Sequence, residues 1–212
     1  MSLRLTIAVP KGRLLEPTQD LFHRGGLRIE FRSRELIATN REAGVSAILV
    51  KNTDLPTYVS HGITGMGICG GDLIYESGAQ FLKLLTLPFG KTKMCIACKA
   101  GYTSGKTAIP DSGYIRVATK FTRFAIDYFH RRGIPVQIIK LNGSVELAPL
   151  LGLAPYIMDL VETGNTLREN NLEVIDELET MHVHLIANPA YYKIHYRKID
   201  ELVDTIRKVI NS

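Results

Sequence analysis

Asp159, Glu162, Thr163, Gly164, Asn165, Thr166 and Leu167 share one short stretch, and their types suit a phosphate ester carried on a sugar. Tyr156 to Val161 is an apolar run with the length of a buried strand, and it feeds directly into Thr-Gly-Asn-Thr. A glycine at such a turn takes positive φ and lets a ligand approach the backbone. The N–H groups of Gly164 to Leu167 are then free to face one point at the start of a helical turn, an arrangement that binds phosphate. Thr163 and Thr166 add hydroxyl donors, and Thr166 with Glu169 has the spacing of a capping box, so the helix is expected to be capped at Thr166. Asp159 and Glu162 would repel a bare phosphate. Beside one, they make sense as acceptors for sugar hydroxyls or as ligands to Mg²⁺. The alternative is an ordinary strand, turn and helix with a good N-cap.

Two further segments offer related chemistry. Pro10-Lys11-Gly12-Arg13 puts two cations around a glycine at the end of an apolar run, which suits a polyphosphate. Leu141-Asn142-Gly143-Ser144-Val145-Glu146 is again strand, polar turn and helix start. Glu146 there either complements the helix dipole or contacts ribose or a metal. His182 and His184 stand at i, i+2 on an expected strand and face one way, but no third metal ligand stands out, which favours a structural or surface role. The three cysteines, an odd number, read as reduced thiols. Cys95 and Cys98 form a lone C-x-x-C on an expected strand, which would point the thiols to opposite faces.

The elements that must position these groups alternate. Leu5–Val9, Val45–Val50, Ile63–Cys69, Phe81–Leu87 and Lys91–Lys99 read as strands. Helices are expected after Val9 up to Gly25-Gly26, from Asp54 and Pro56 to His61-Gly62, and from Gly70-Gly71-Asp72. Past a polar stretch, Gly101–Gly113, a second alternating run follows: strand Tyr114–Ala118, helix Phe121–Arg132, strand Val136–Leu141, helix Ser144–Leu151 and strand Tyr156–Val161. Ile199, Leu202, Val203, Ile206, Val209 and Ile210 have the spacing of an amphipathic helix. The expected fold class is α/β, with two small lobes and a cleft between them.

With 212 residues, 45% hydrophobic and 22% charged, the chain is long enough to bury a core without disulfide or metal staples. The net charge of +5 favours anionic ligands, yet acids are interspersed throughout, so no nucleic-acid arm is expected. The N-terminal apolar run is too short for a signal peptide, and the longest uncharged stretch, Leu147–Met158, carries Pro149 and Pro155 and is too short to span a bilayer. The expectation is a cytoplasmic protein with no membrane partner.

Five segments together resemble one family. They are Ala8-Val9-Pro10-Lys11-Gly12-Arg13-Leu14, Thr53-Asp54-Leu55-Pro56-Thr57-Tyr58-Val59, Gly67-Ile68-Cys69-Gly70-Gly71-Asp72, Leu141-Asn142-Gly143-Ser144-Val145-Glu146-Leu147-Ala148-Pro149 and Val161-Glu162-Thr163-Gly164-Asn165-Thr166-Leu167-Arg168-Glu169-Asn170. Each alone is weak; in this order they resemble the ATP phosphoribosyltransferases in their short form. The resemblance implies two lobes like those of type II periplasmic binding proteins, 1–88 with 181–212 and 89–180, the second carrying the phosphoribosyl pyrophosphate loop. It implies transfer of the phosphoribosyl group to N1 of the ATP adenine with release of pyrophosphate, the first step of histidine biosynthesis. Asp159, Glu162, Thr163, Gly164, Asn165, Thr166, Leu167 and Glu146 would bind phosphoribosyl pyrophosphate, and Lys11, Arg13 and Lys51 would neutralise pyrophosphate and the ATP phosphates. Mg²⁺ would reach Asp159 and Glu162 through the substrate. Implied partners are a second copy of the chain, as a dimer, and a regulatory subunit resembling histidyl-tRNA synthetase.

The chain departs from the family's pattern at Lys51, usually Arg, at Gly65, usually Asp, and at Gly71, often Lys. Two rival readings share parts of the pattern: a type I phosphoribosyltransferase acting on a free base, and a two-lobed small-molecule receptor.

Overall fold

The computed structural model describes residues 4–32, 34–102 and 114–212, so residues 103–113 of the expected polar stretch lie outside the described residues. Two compact units make up the chain: Met1–Gly90 with His182–Ser212, and Lys91–Met181.

The first unit is built on a six-stranded sheet. Its strands are β1 (Leu5–Pro10), β2 (Ile37–Asn40), β3 (Val45–Val50), β4 (Met66–Gly70), β5 (Leu82–Thr86) and β11 (Val183–Ala187), in the order β2-β3-β1-β4-β11-β5. β1 lies parallel to both β3 and β4, while β11 runs antiparallel to β4. An apolar strand with partners on both sides is covered on both faces. Leu5, Ile7 and Val9 accordingly point into one cluster with Leu21 and Phe22 of α1 (Leu15–Arg24) and Ile199, Val203 and Ile206 of α7 (Pro189–Ile210). Ala8 points to the opposite cluster with Leu55 and Val59 of α2 (Leu55–Ser60) and, more loosely, Leu73 and Ile74 of α3 (Gly71–Ser77). Phe22 is 1% exposed, and burying a side chain of that size contributes about 1.5–3 kcal/mol. The apolar period seen from Ile199 onward belongs to a longer helix. Asn188 caps it, its side chain accepting from the N–H groups of Ala190 and Tyr191, and Pro189 occupies the first position where a missing N–H costs little.

The second unit repeats the plan on five strands: β6 (Thr92–Lys99), β7 (Ile115–Thr119), β8 (Val136–Lys140), β9 (Tyr156–Val161) and β10 (Leu172–Met181), ordered β10-β6-β9-β7-β8. Here β7 lies parallel to β8 and β9, with β6 antiparallel beyond β9. Both units thus centre one strand, β1 or β7, between two parallel neighbours and add an antiparallel strand beyond one of them, the α/β plan that the resemblance to type II periplasmic binding proteins implies. One face packs Ala97, Ala118 and Ile157 against Val145, Ala148 and Leu167, residues on or beside α5 (Leu147–Leu150) and α6 (Asn165–Glu169). α4 (Thr122–Arg131) buries Phe124, Ala125, Tyr128 and Phe129, and the Tyr128 hydroxyl donates to Asp176 of β10 at 2.7 Å.

Two helix expectations change. The helix expected over Ser144–Leu151 is a single turn, because Ser144 takes φ +47° and its backbone cannot be helical. The capping box at Thr166 does not form either. The cap falls two residues earlier, at Gly164 with φ +75°, α6 begins at Asn165, and no side chain caps the turn. Among the described residues no helix is long and apolar enough to cross a membrane.

Candidate functional site

β9 carries the acids and delivers the loop. Its first half is buried; its last three residues, from Asp159, emerge toward the surface. The chain then turns at Gly164, whose φ of +75° is open to glycine at no steric cost. The first turn of α6 follows, and its N–H groups lack partners within the helix. Thr163 Oγ1 accepts only a long 3.5 Å contact from the Asn165 N–H. Arg168 reaches back over the turn, its guanidinium donating to Asn165 Oδ1.

A cavity of about 260 Å³ opens at this loop. Val145, Ile157, Leu160, Val161 and Leu167 supply apolar lining, and every other lining residue comes from Glu146, Asp159 and Glu162–Thr166. All eight residues singled out for a phosphoribosyl ligand therefore line one cavity. Glu146, assigned from a separate segment, arrives there because α5 packs beside β9.

Lys120 is the group that sequence reasoning missed. It follows β7, whose Thr119 is paired in parallel register with Met158 of β9, so Lys120 stands beside Asp159. Its Nζ lies 3.5 Å from Asp159 Oδ1, and the same oxygen accepts from the Leu160 N–H at 2.8 Å. Burial pushes the Asp159 carboxyl upward from its ordinary range; Lys120 and the Leu160 N–H pull it back, and Glu146 adds to the rise. A raised carboxyl stabilises the fold most at acid pH, and that contribution is lost as pH climbs through the carboxylate range. The folded chain thus holds a charge at Asp159 at a cost in stability, as binding sites do.

The first unit presents cations. Pro10 and Val50 are register partners on parallel strands, so Lys11 and Lys51 leave the same edge of the sheet side by side. The Lys11 N–H donates to Val50 O at 2.9 Å, and both side chains are exposed, with no ion-pair partner among the described residues. Gly12, at φ +86°, turns the chain and brings exposed Arg13 to the same edge. Gly71 opens α3 at the end of neighbouring β4. Two like charges carried on neighbouring strands repel, and an anion between them relieves that repulsion.

Gly65 stands apart from this edge. It precedes β4, at the amino end of the strand, where its N–H donates to Thr6 Oγ1 at 2.8 Å. A side chain there would collide with the ring of Tyr191. The Tyr191 hydroxyl accepts from the Thr6 N–H at 3.2 Å and donates to Arg4 O at 3.3 Å. Gly65→Asp is expected to cost about 1–3 kcal/mol through overpacking, read by urea denaturation, with phosphate binding unchanged. An unaltered midpoint would mean that Tyr191 moves aside freely.

The remaining candidates have structural surroundings. Burial lowers the affinity of His184 for a proton, helped by Lys83 and His182, and its Nδ1 lies 3.3 Å from Thr86 Oγ1 on β5. Cys69, Cys95 and Cys98 are all buried. Burial pushes the Cys95 thiol up to about 11 and raises Cys69 as well, so neither is a ready nucleophile. Among the described residues no three His, Cys, Asp or Glu side chains gather to hold a metal. The donor set fits a metal shared with a bound polyphosphate, where one or two carboxylates suffice.

These features define a protein with two α/β units, one offering a polar, acid-flanked turn that opens on a cavity and the other a cationic sheet edge. The family model for "HisG: ATP phosphoribosyltransferase" matches residues 51–208. ATP phosphoribosyltransferases from Lachnoclostridium phytofermentans and Caldanaerobacter subterraneus subsp. tengcongensis are 39% and 41% identical, each over 98% of this chain and 98% of their own length. The solved ATP phosphoribosyl transferase (HisG:HisZ) complex from Thermotoga maritima holds a chain that superposes with a TM-score of 0.85 at 34% identity, covering 98% of both chains. The chain belongs to the ATP phosphoribosyltransferase family.

Proposed function

We infer that this chain transfers the 5-phosphoribosyl group from phosphoribosyl pyrophosphate to N1 of the ATP adenine and releases pyrophosphate, the first step of histidine biosynthesis. The bond from sugar C1 to the pyrophosphate oxygen breaks, and a bond from C1 to adenine N1 forms. Adenine N1 is itself a nucleophile, so the reaction needs alignment and charge stabilisation rather than a protein nucleophile. The observation that supports the site most strongly is the convergence of Glu146, Asp159 and Glu162–Leu167 on one cavity.

In this reading the second unit carries the donor. Backbone N–H groups from Thr163 to Leu167 and the hydroxyls of Thr163 and Thr166 hold the 5′-phosphate. Asp159 and Glu162 accept from the ribose hydroxyls or meet Mg²⁺ that enters with the substrate, and Glu146 is a further ribose contact. Lys11, Arg13 and Lys51 neutralise the leaving pyrophosphate and the ATP phosphates. Lys51 keeps the charge of the family's usual Arg but gives up its planar fork, so it acts as a point charge.

The setting is the cytoplasm. The partners are a second copy of the chain and a regulatory subunit resembling histidyl-tRNA synthetase; the similar Thermotoga maritima chain, solved in a HisG:HisZ complex, supports the second of these. Thr166→Val tests the loop. It should weaken phosphoribosyl pyrophosphate binding far more than ATP binding in titration calorimetry; equal losses for both ligands, or none, would sink the assignment.

A further inference from the structure

We propose that Lys120 is a positioning residue for the transfer, holding the Asp159 carboxylate so that one chosen oxygen is offered to the ribose. The proposal rests on the reading of Asp159 as a ribose contact and adds to it the residue that sets its orientation.

The geometry is specific to one oxygen. Asp159 Oδ1 accepts from the Leu160 N–H at 2.8 Å and faces Lys120 Nζ at 3.5 Å. Both of these contacts fall on Oδ1 and neither engages Asp159 Oδ2, on a side chain that lines the cavity. A carboxylate rotor is broad and nearly two-fold, so without such contacts its two oxygens interchange readily. The Leu160 N–H alone is a local contact within the same strand. Lys120 adds a second point from a different strand, and two points on one oxygen fix the plane of the group.

Lys120 is itself held. Its backbone follows Thr119, which is fully buried and paired with β9, and Thr119 Oγ1 accepts from the Phe121 N–H at 2.9 Å. Its ammonium lies 4.8 Å from the centre of the fully packed Phe121 ring, within cation–π range. Asp159, its ion-pair partner, shares the cavity lining with Glu146 and Glu162, so the Lys120 charge offsets part of a carboxylate field that would otherwise repel a phosphate ester. Lys120 does not line the cavity, which separates its role from direct contact with the ligand.

The test compares Lys120→Met, Lys120→Arg, Asp159→Asn and the double variant Lys120→Met/Asp159→Asn, each assayed with its regulatory partner. Steady-state kcat and KM are read for both substrates, with a thermal melt for each variant. Lys120→Met is expected to lower kcat/KM for phosphoribosyl pyrophosphate by about 10-fold, within the range of coupling in one network, while KM for ATP stays put. Lys120→Arg should restore most of the loss, and Lys120→Met should add nothing in the Asp159→Asn background. Full additivity in the double variant would overturn the proposal by making Lys120 an independent contact. A loss that Arg does not restore, matched by a fall in melting temperature, would overturn it in favour of a purely structural role. Full activity in Asp159→Asn would overturn the ribose reading of Asp159 itself, and the positioning role with it.

Discussion

Gly164→Val is expected to lower kcat/KM for phosphoribosyl pyrophosphate by about 10²–10³, the loss seen when a well-aimed donor is removed from a charge-stabilising site. The cause is the backbone. Gly164 sits at φ +75°, and valine, branched at Cβ, is a poor fit to the left-handed region. Relaxing φ rotates the peptide plane that carries the Asn165 N–H and misaims the first turn of α6. The space itself is available: a Cβ there would meet Arg168 Nη1 at 3.6 Å and Val161 Cγ1 at 3.8 Å, both ordinary contacts. The fold should therefore survive, with a small fall in melting temperature beside a collapse of activity. Kinetics and a melt on the same preparation check this. An unchanged kcat/KM would mean that the turn is only structural.

The double variant Lys11→Met/Lys51→Met is expected to lower kcat by at least about 10² while leaving the fold intact. The two lysines leave adjacent parallel strands at paired positions, are exposed, and have no ion-pair partner among the described residues, so their removal breaks no contact of the fold. If they stabilise charge on departing pyrophosphate, they matter more in the transition state than in substrate binding, and kcat falls more than KM rises. Raising salt should slow the unaltered enzyme more than the double variant, because screening acts on the charges removed. A rise in KM alone would assign them to substrate capture.

The strands and loop that carry the candidate residues were legible because their signals are local. β1, β3 and β9 are apolar runs that end at a turn, and T-G-x-T after β9 announces positive φ at Gly164. β10 was not legible. Its acids Glu173, Asp176, Glu177 and Glu179 interrupt any apolar run, and only pairing with β6 makes this segment an edge strand, with two register shifts along the way. β2, four residues at the other sheet's edge, was equally silent. Lys120 was missed because its neighbour Asp159 lies far away in sequence and is brought near only by the parallel register of β7 and β9. The capping box at Thr166 failed for a different reason: the left-handed glycine itself starts the turn, so no side-chain cap is needed. Of the three departures from the family's pattern, Lys51 and Gly71 belong to the cationic sheet edge, while Gly65 lies at the opposite end of its strand under Tyr191.

The central claim is that this chain joins phosphoribosyl pyrophosphate to the adenine of ATP, and an ultraviolet assay tests it most directly. Purified chain with its regulatory partner would be mixed with ATP, phosphoribosyl pyrophosphate and Mg²⁺, with pyrophosphatase to draw the reaction forward. The account predicts the absorbance of a modified adenine ring, dependent on all three components and absent when free adenine replaces ATP. Turnover of free adenine but not of ATP, or tight ligand binding without turnover, would contradict it.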